Sequence, residues 1–190
     1  MKPAIQHILW DWHGVLGVER LWQRPTHHIA QVMEFQQQAF ADPLRVDAWM
    51  RGDVTTEQLL DRLASKLTRA QLAEQIYAGW PGRAWINVPL HSGLVAILPQ
   101  CLHSIVTDNV DVFSDYLAVD PWVRSNFSCY INSAEHGRLK GDQESLLFIA
   151  EQQSGISLQR TLLIDDSPSN CLRMRELGGQ AAEIARWTRV

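Results

Sequence analysis

The stretch Ile5-Gln6-His7-Ile8-Leu9-Trp10-Asp11-Trp12-His13-Gly14-Val15-Leu16 decides how the chain is read. A largely apolar run from Ile5 to Trp10 stops abruptly at Asp11. The form recurs twice: Ser104-Ile105-Val106 ends at Thr107-Asp108-Asn109, and Leu162-Leu163-Ile164 ends at Asp165-Asp166. Short apolar runs of this kind fit strands buried on both faces, as in a parallel sheet covered by helices. Ser128 to Ile131 is a weaker fourth candidate. Helical patterns lie between the runs, over Leu90–Leu98, Val112–Leu117, Gln143–Gln153 and Ser169–Leu177. Strand and helix in alternation predict an α/β fold with a parallel sheet and right-handed crossovers.

The interval from Gly17 to Asn87 breaks this rhythm. It holds no convincing strand and reads as helices over Thr26–Phe40, Thr55–Leu67 and Thr68–Tyr77. Thr55 and Thr56 are N-cap candidates, with Glu57 and Gln58 in the first turn. Leu59, Leu60, Leu63 and Leu67 then fall on one helical face. An insert of about 70 residues is too long for a loop. The expected organisation is a core of residues 1–16 and 88–190, with residues 17–87 forming a small all-helical layer over the sheet edge.

Composition narrows the function. The 190 residues make one domain, or one carrying a small insert, and need no disulfide or metal to fold. Seventeen basic against 21 acidic residues give a net charge of −4, which supplies no electrostatic footprint for nucleic acid and no polybasic membrane patch. Cys101, Cys129 and Cys171 lack any CxxC pairing and read as reduced thiols. Met1 to Trp10 does not resemble a signal peptide. Ala84 to Thr107 is free of Asp, Glu, Lys and Arg, but its prolines, histidines and glutamine argue against a spanning helix. Asn126-Phe127-Ser128 matches a glycosylation sequon by chance. The expectation is a soluble, cytoplasmic protein, with oligomeric state left open.

In an open α/β sheet, ligands bind beyond the carboxyl ends of the strands. Asp11, His13, Thr107, Asp165 and Asp166 would lie there. Side chains two apart on an extended segment face the same way, which gives Asp11 and His13 one site. Three converging carboxylates repel one another unless a cation sits between them, and hard oxygen ligands suit Mg²⁺ with a substrate phosphate. Lys140, in Gly137-Arg138-Leu139-Lys140-Gly141-Asp142, would help the site accept a dianionic phosphate.

This order of motifs resembles the haloacid dehalogenase-like (HAD) hydrolase superfamily over most of the chain. Asp11-Trp12-His13-Gly14-Val15-Leu16 looks like its first motif, Thr107 its second, Lys140 its third and Asp165-Asp166 its fourth. Ser167-Pro168-Ser169-Asn170, Leu177-Gly178 and Arg51-Gly52-Asp53-Val54-Thr55-Thr56-Glu57 add to the likeness, the last to the subgroup with a helical cap after the first strand. The resemblance implies a Rossmann-like parallel sheet with an inserted helical cap. It also implies a Mg²⁺-dependent phosphatase that hydrolyses a small phosphorylated metabolite through an aspartyl-phosphate. Asp11 would be the nucleophile. Asp11, the carbonyl of His13, Asp166 and Asp165 would hold the metal. Thr107 would bind a phosphoryl oxygen and Lys140 would offset charge.

Two positions depart from the family pattern. His13 stands where the phosphatases carry Asp, and imidazole could serve there as acid and base or as a structural hydrogen-bonding group. Asp108 stands where Asn is common, and its carboxylate would repel phosphate unless turned away or held by metal. Competing readings are a phosphotransferase, a metal-independent haloacid dehalogenase, and a non-catalytic or regulatory binding module in which His13 has disabled turnover. A receiver domain is excluded because there the acidic pair precedes the phospho-acceptor. Most of the eight tryptophans, such as Trp10 and Trp49, read as core or as packing between the insert and the sheet, though Trp12 and Trp22 could line the substrate entrance.

Overall fold

The computed structural model describes residues 4–18 and 20–188. Five parallel strands form one sheet: β1 His7–Trp10, β2 Leu102–Thr107, β3 Cys129–Asn132, β4 Thr161–Asp165 and β5 Gln180–Glu183. Their order is β3-β2-β1-β4-β5, so the chain builds outward from β1 on one side and then returns to its other side. Trp10 pairs in register with Ile105 of β2 and Ile164 of β4, which aligns the carboxyl ends of the three inner strands. The reversal at β1 and β4 is the switch point at which such sheets bind ligands.

The strands are continuous apolar runs because both faces are covered. Along β1 the side chains alternate, with Ile8 and Trp10 on one face and Leu9 on the other. Leu9 packs with Val106, Ile131 and Leu163 against Leu146, Leu147 and Ala150. The last two belong to a helix over Leu147–Ser154. Ile8 and Trp10 share a larger core with Trp22, Phe35, Trp49 and Leu59 from the inserted segment.

The described residues of that segment form four helices: α1 Ile29–Ala39, α2 Pro43–Met50, α3 Thr56–Arg62 and α4 Arg69–Glu74. Among the described residues between 17 and 87 there is no strand, only an isolated bridge between Gly17 and Ile86 where the segment leaves and returns. Asn87 N donates to the carbonyl of Leu16 at 2.7 Å and Val18 N to that of Trp85 at 3.2 Å, closing the base. Thr55 and Thr68 each close a full capping box, with Gln58 and Gln71. Each such cap contributes about 1 kcal/mol. Helix α1 begins three residues later than the sequence pattern suggests. His28 is left-handed, and the amides of Thr26 and His27 donate instead to Oε1 of Gln75, at 2.6 and 2.8 Å.

The remaining helices are α5 Val88–Ile97, α6 Val112–Val119, α7 Pro121–Asn126, α8 Ser133–His136, α9 Leu147–Ser154 and α10 Pro168–Glu176. Helix α2 and strand β5 carry no expectation from sequence. Helix α9 starts at Leu147 rather than Gln143, and Lys140 sits in a turn before it. Trp12 and Trp22 are fully buried and do not line an entrance: Trp12 packs under Trp85, Phe113 and Tyr116, and Trp22 stacks on Trp49. The three cysteines are unpaired. No helix among the described residues is long and apolar enough to cross a membrane.

Candidate active site

Asp11 leaves β1 with its amide still in the sheet ladder, donating to the carbonyl of Ile164 at 2.9 Å. The chain then turns tightly, with the amides of Leu16 and Gly17 both donating to the carbonyl of Trp12. Gly14 makes the turn possible: its φ is +83°, and a Cβ there would run into the Asp166 carboxylate. The turn is thereby held close against the end of β4.

Lys140 reaches into this corner from its turn and is buried at 1% exposure. Its Nζ donates to Oδ1 of Asp11 at 2.6 Å and to Oδ2 of Asp165 at 2.7 Å. Burial works against the ammonium, but Asp11, Asp165 and Asp108 overcome it and hold the lysine protonated well above its ordinary range. For Asp11, burial, with Asp165 and Asp108 beside it, outweighs the downward pull of Lys140 and leaves the carboxyl raised to about 7. Asp165 is further fixed by the amide of Ser167, which donates to its Oδ1 at 2.8 Å, and by Asn170 Nδ2 at 3.3 Å from each oxygen.

Asp166 accepts from Arg186 Nε at 2.5 Å through its Oδ2. One oxygen each from Asp11, Asp165 and Asp166 lie within 4.8 Å of one another. Four carboxyl groups (Asp11, Asp108, Asp165, Asp166) thus gather around two cations, Lys140 and Arg186. Hard oxygen donors with negative charge in excess fit a divalent cation such as Mg²⁺.

Asp108 Oδ1 accepts from the Lys140 amide at 2.9 Å, and burial raises its carboxyl while Lys140 lowers it. Thr107 ends β2 almost wholly buried, with Asn109 Nδ2 3.5 Å from its hydroxyl. The same Asn109 Nδ2 lies 3.1 Å from Nδ1 of His13, whose Nε2 lies 3.0 Å from the Tyr77 hydroxyl. Burial and the cationic Lys140 and Arg186 lower the His13 imidazole to about 3, so it is neutral. Beside His13, Asp108 and Arg186 opens a cavity of about 890 Å³, walled by Leu21, Met33, Phe40 and Met50.

Asp11, Lys140, Asp165 and Asp166 are therefore brought together, and Thr107 and His13 are joined to each other through Asn109. Sequence reasoning missed Asn109, Tyr77 and Arg186. Asn109 was within reach, as the third polar residue closing β2. Tyr77 and Arg186 are distant in the chain and carry no local signal.

No family model matches the sequence, and no curated protein matches it. Solved structures do. A predicted HAD-like family hydrolase from Porphyromonas gingivalis aligns at 17% identity and a TM-score of 0.68, over 97% of this chain and 93% of that one. The chain has the HAD hydrolase fold. A HAD family enzyme from Bacteroides thetaiotaomicron, crystallised with magnesium and inorganic phosphate, aligns at 17% identity and a TM-score of 0.65 over 96% of both chains. The L-2-haloacid dehalogenase of Xanthobacter autotrophicus shares the HAD fold more distantly, at 17% identity and a TM-score of 0.55 over 97% of this chain and 79% of that one.

Proposed function

We propose that the chain is a Mg²⁺-dependent phosphatase that hydrolyses a small phosphate ester through an aspartyl-phosphate on Asp11. The observation that carries this reading is the Lys140 ammonium held between Asp11 and Asp165, at 2.6 and 2.7 Å, with Asp166 alongside. The Bacteroides thetaiotaomicron enzyme of the same fold, with its magnesium and phosphate, supports it.

Asp11, Asp165 and Asp166, with the backbone carbonyl of His13, would hold Mg²⁺. The ion would supply positive charge to the phosphoryl oxygens. Lys140 keeps one oxygen of Asp11 occupied and so orients the other as nucleophile. It also offsets charge that develops on the phosphoryl group, which is most of what phosphoryl transfer asks of a protein. Thr107 would hydrogen-bond a phosphoryl oxygen. Residues 17–87 would act as a cap over a core of residues 1–16 and 88–190. The partner would be a phosphorylated small molecule, with neither nucleic acid nor membrane involved, in the cytoplasm.

The test is a screen of small phosphate esters with and without Mg²⁺. Turnover that needs Mg²⁺ and is lost in Asp11→Asn is expected. One observation favours a second reading: Arg186 already places a cation on Asp166, as a metal-independent dehalogenase could use. Release of halide from 2-haloacids in excess chelator would select that reading.

A further inference from the structure

A phosphoryl group transferred to Asp11 leaves behind an oxygen that needs a proton unless it is stable as an anion. The family resemblance puts His13 at the position that would give one, and its hydrogen bonds decide whether it can. Asn109 is oriented by its own neighbour, since its Oδ1 accepts from the amide of Val110 at 2.9 Å. Its Nδ2 is therefore the group facing His13 Nδ1, 3.1 Å away, and Nδ1 must accept. The ring proton then lies on Nε2 and is donated to the Tyr77 hydroxyl at 3.0 Å. Tyr77 is itself fixed. Its hydroxyl accepts from Trp12 Nε1 at 3.1 Å, and its ring stacks on Trp85 at 4.5 Å and 2°. Both ring nitrogens are engaged inside the protein, and neither remains to meet a leaving group.

The cavity beside His13 gives a second, independent observation. Its wall is built from Leu21, Met33, Phe40, Met50 and Val110, with Arg20, Glu34 and Gln37 among its polar residues. Met33 and Phe40 are left 45% and 41% exposed although they are large and apolar. A volume of about 890 Å³ lies within the usual range for sites that bury an organic ligand.

Resting on the phosphatase reading of the same site, we propose that the substrate is an aryl phosphate, whose ring fills the Met33–Phe40 cavity and whose phenolic oxygen leaves without a proton from the protein. A carboxylate oxygen of Asp11 forms its bond to phosphorus as the bond to the aryl oxygen breaks. The aryl oxide departs with the electron pair and takes a proton from solvent. Water then adds to phosphorus, the Asp11 carboxylate is released with its electron pair, and the protons of the water pass to phosphate and solvent. His13 acts as a positioning residue, holding Asn109 beside Thr107.

The experiment compares phenyl phosphate with cyclohexyl phosphate, which has similar bulk and a far less acidic alcohol, using the full-length protein with Mg²⁺. The phenyl ester should be turned over faster by about 10²–10⁴-fold, the size of a general-acid contribution. It should also release a burst of phenol stoichiometric with the enzyme, because His13, held by Asn109 and Tyr77, does not activate water on the phospho-enzyme. Equal kcat/KM for the two esters would overturn the inference. His13→Gln should lower both rates by one factor and preserve their ratio. A selective loss of the cyclohexyl ester would show His13 to be the acid and overturn the inference. His13→Asp should raise the cyclohexyl ester towards the phenyl one. Turnover of neither ester, with no phosphoryl group on Asp11, would instead overturn the phosphatase reading itself.

Discussion

The two ends of β1 both bury polar side chains, and they do so in opposite ways. At its start, His7 lies against Ser104 on one face of the sheet, its Nε2 2.9 Å from that hydroxyl, while on the other face His91 and His103 form an aromatic cluster with Trp10, whose indole N–H donates to Nδ1 of His103 at 3.1 Å. Among the described residues, His7 Nδ1 and His91 Nε2 have no hydrogen-bond partner. Burial lowers His7 and His91 to about 4 and lowers His103 as well, so all three are neutral at physiological pH. At its far end, Asp11 and Asp165 lie against Lys140 and, with Asp108, hold its ammonium protonated. A histidine can shed its charge when buried at little cost near neutral pH. An aspartate–lysine cluster stays charged only if the protein builds its compensation, and that arrangement is weak evidence for stability and better evidence for a site.

The largest effect should fall on activity at the charged end. Asp11→Asn should lower turnover by about 10⁴-fold or more, as removal of a nucleophile does. Its Tm should move far less, because Lys140 keeps Asp165. Comparable losses in both would erase the distinction between the two ends.

Lys140→Met should cost about 3–5 kcal/mol, because it leaves two buried carboxyl groups facing each other without their cation. Urea unfolding measures this, and added Mg²⁺ should recover part of the loss if the same carboxylates hold it. An unchanged midpoint would mean that Lys140 is not compensating them.

The histidine end should show itself through acid. His7 and His91 bind protons more weakly folded than unfolded, so the unfolded chain takes up protons first as pH falls. The stability they contribute is therefore complete above about pH 6.5 and is lost towards pH 4. Tm measured across that window should drop, and His91→Leu should flatten the drop. A wild-type Tm that is level from pH 7 to 4 would contradict the neutral-histidine description.

The smallest effect serves as a control away from both ends. Thr55→Ala removes a capping box at the start of α3 and should cost about 1 kcal/mol with no selective loss of catalysis.

What the sequence made legible followed from local physics. Three apolar runs ending in acid or threonine located β1, β2 and β4, and with them Asp11, Thr107 and Asp165. The cap at Thr55 with Gln58 was local and readable, and the pair Thr68–Gln71 carries the same local signal. Helix α2 had a signal too, in Asp42 as N-cap and Pro43 at the first helical position. Strand β5 had none, because Gln180–Glu183 is a half-exposed edge strand without an apolar run. The surroundings of His13 were also hidden. They depend on Tyr77, 64 residues on, and Asn109, 96 residues on, brought together only by folding. Residue type alone left His13 open between acid and structural roles, while its two hydrogen bonds speak for the second.

The central claim, that Asp11 carries the phosphoryl group, is tested most directly by trapping it. Protein turning over an aryl phosphate with Mg²⁺ is quenched with hydroxylamine, which converts an aspartyl-phosphate to a hydroxamate, and the modified residue is located by mass spectrometry. The account predicts a hydroxamate at Asp11 alone, absent without Mg²⁺ and absent in Asp11→Asn. Sustained turnover with Asp11 unmodified would contradict it.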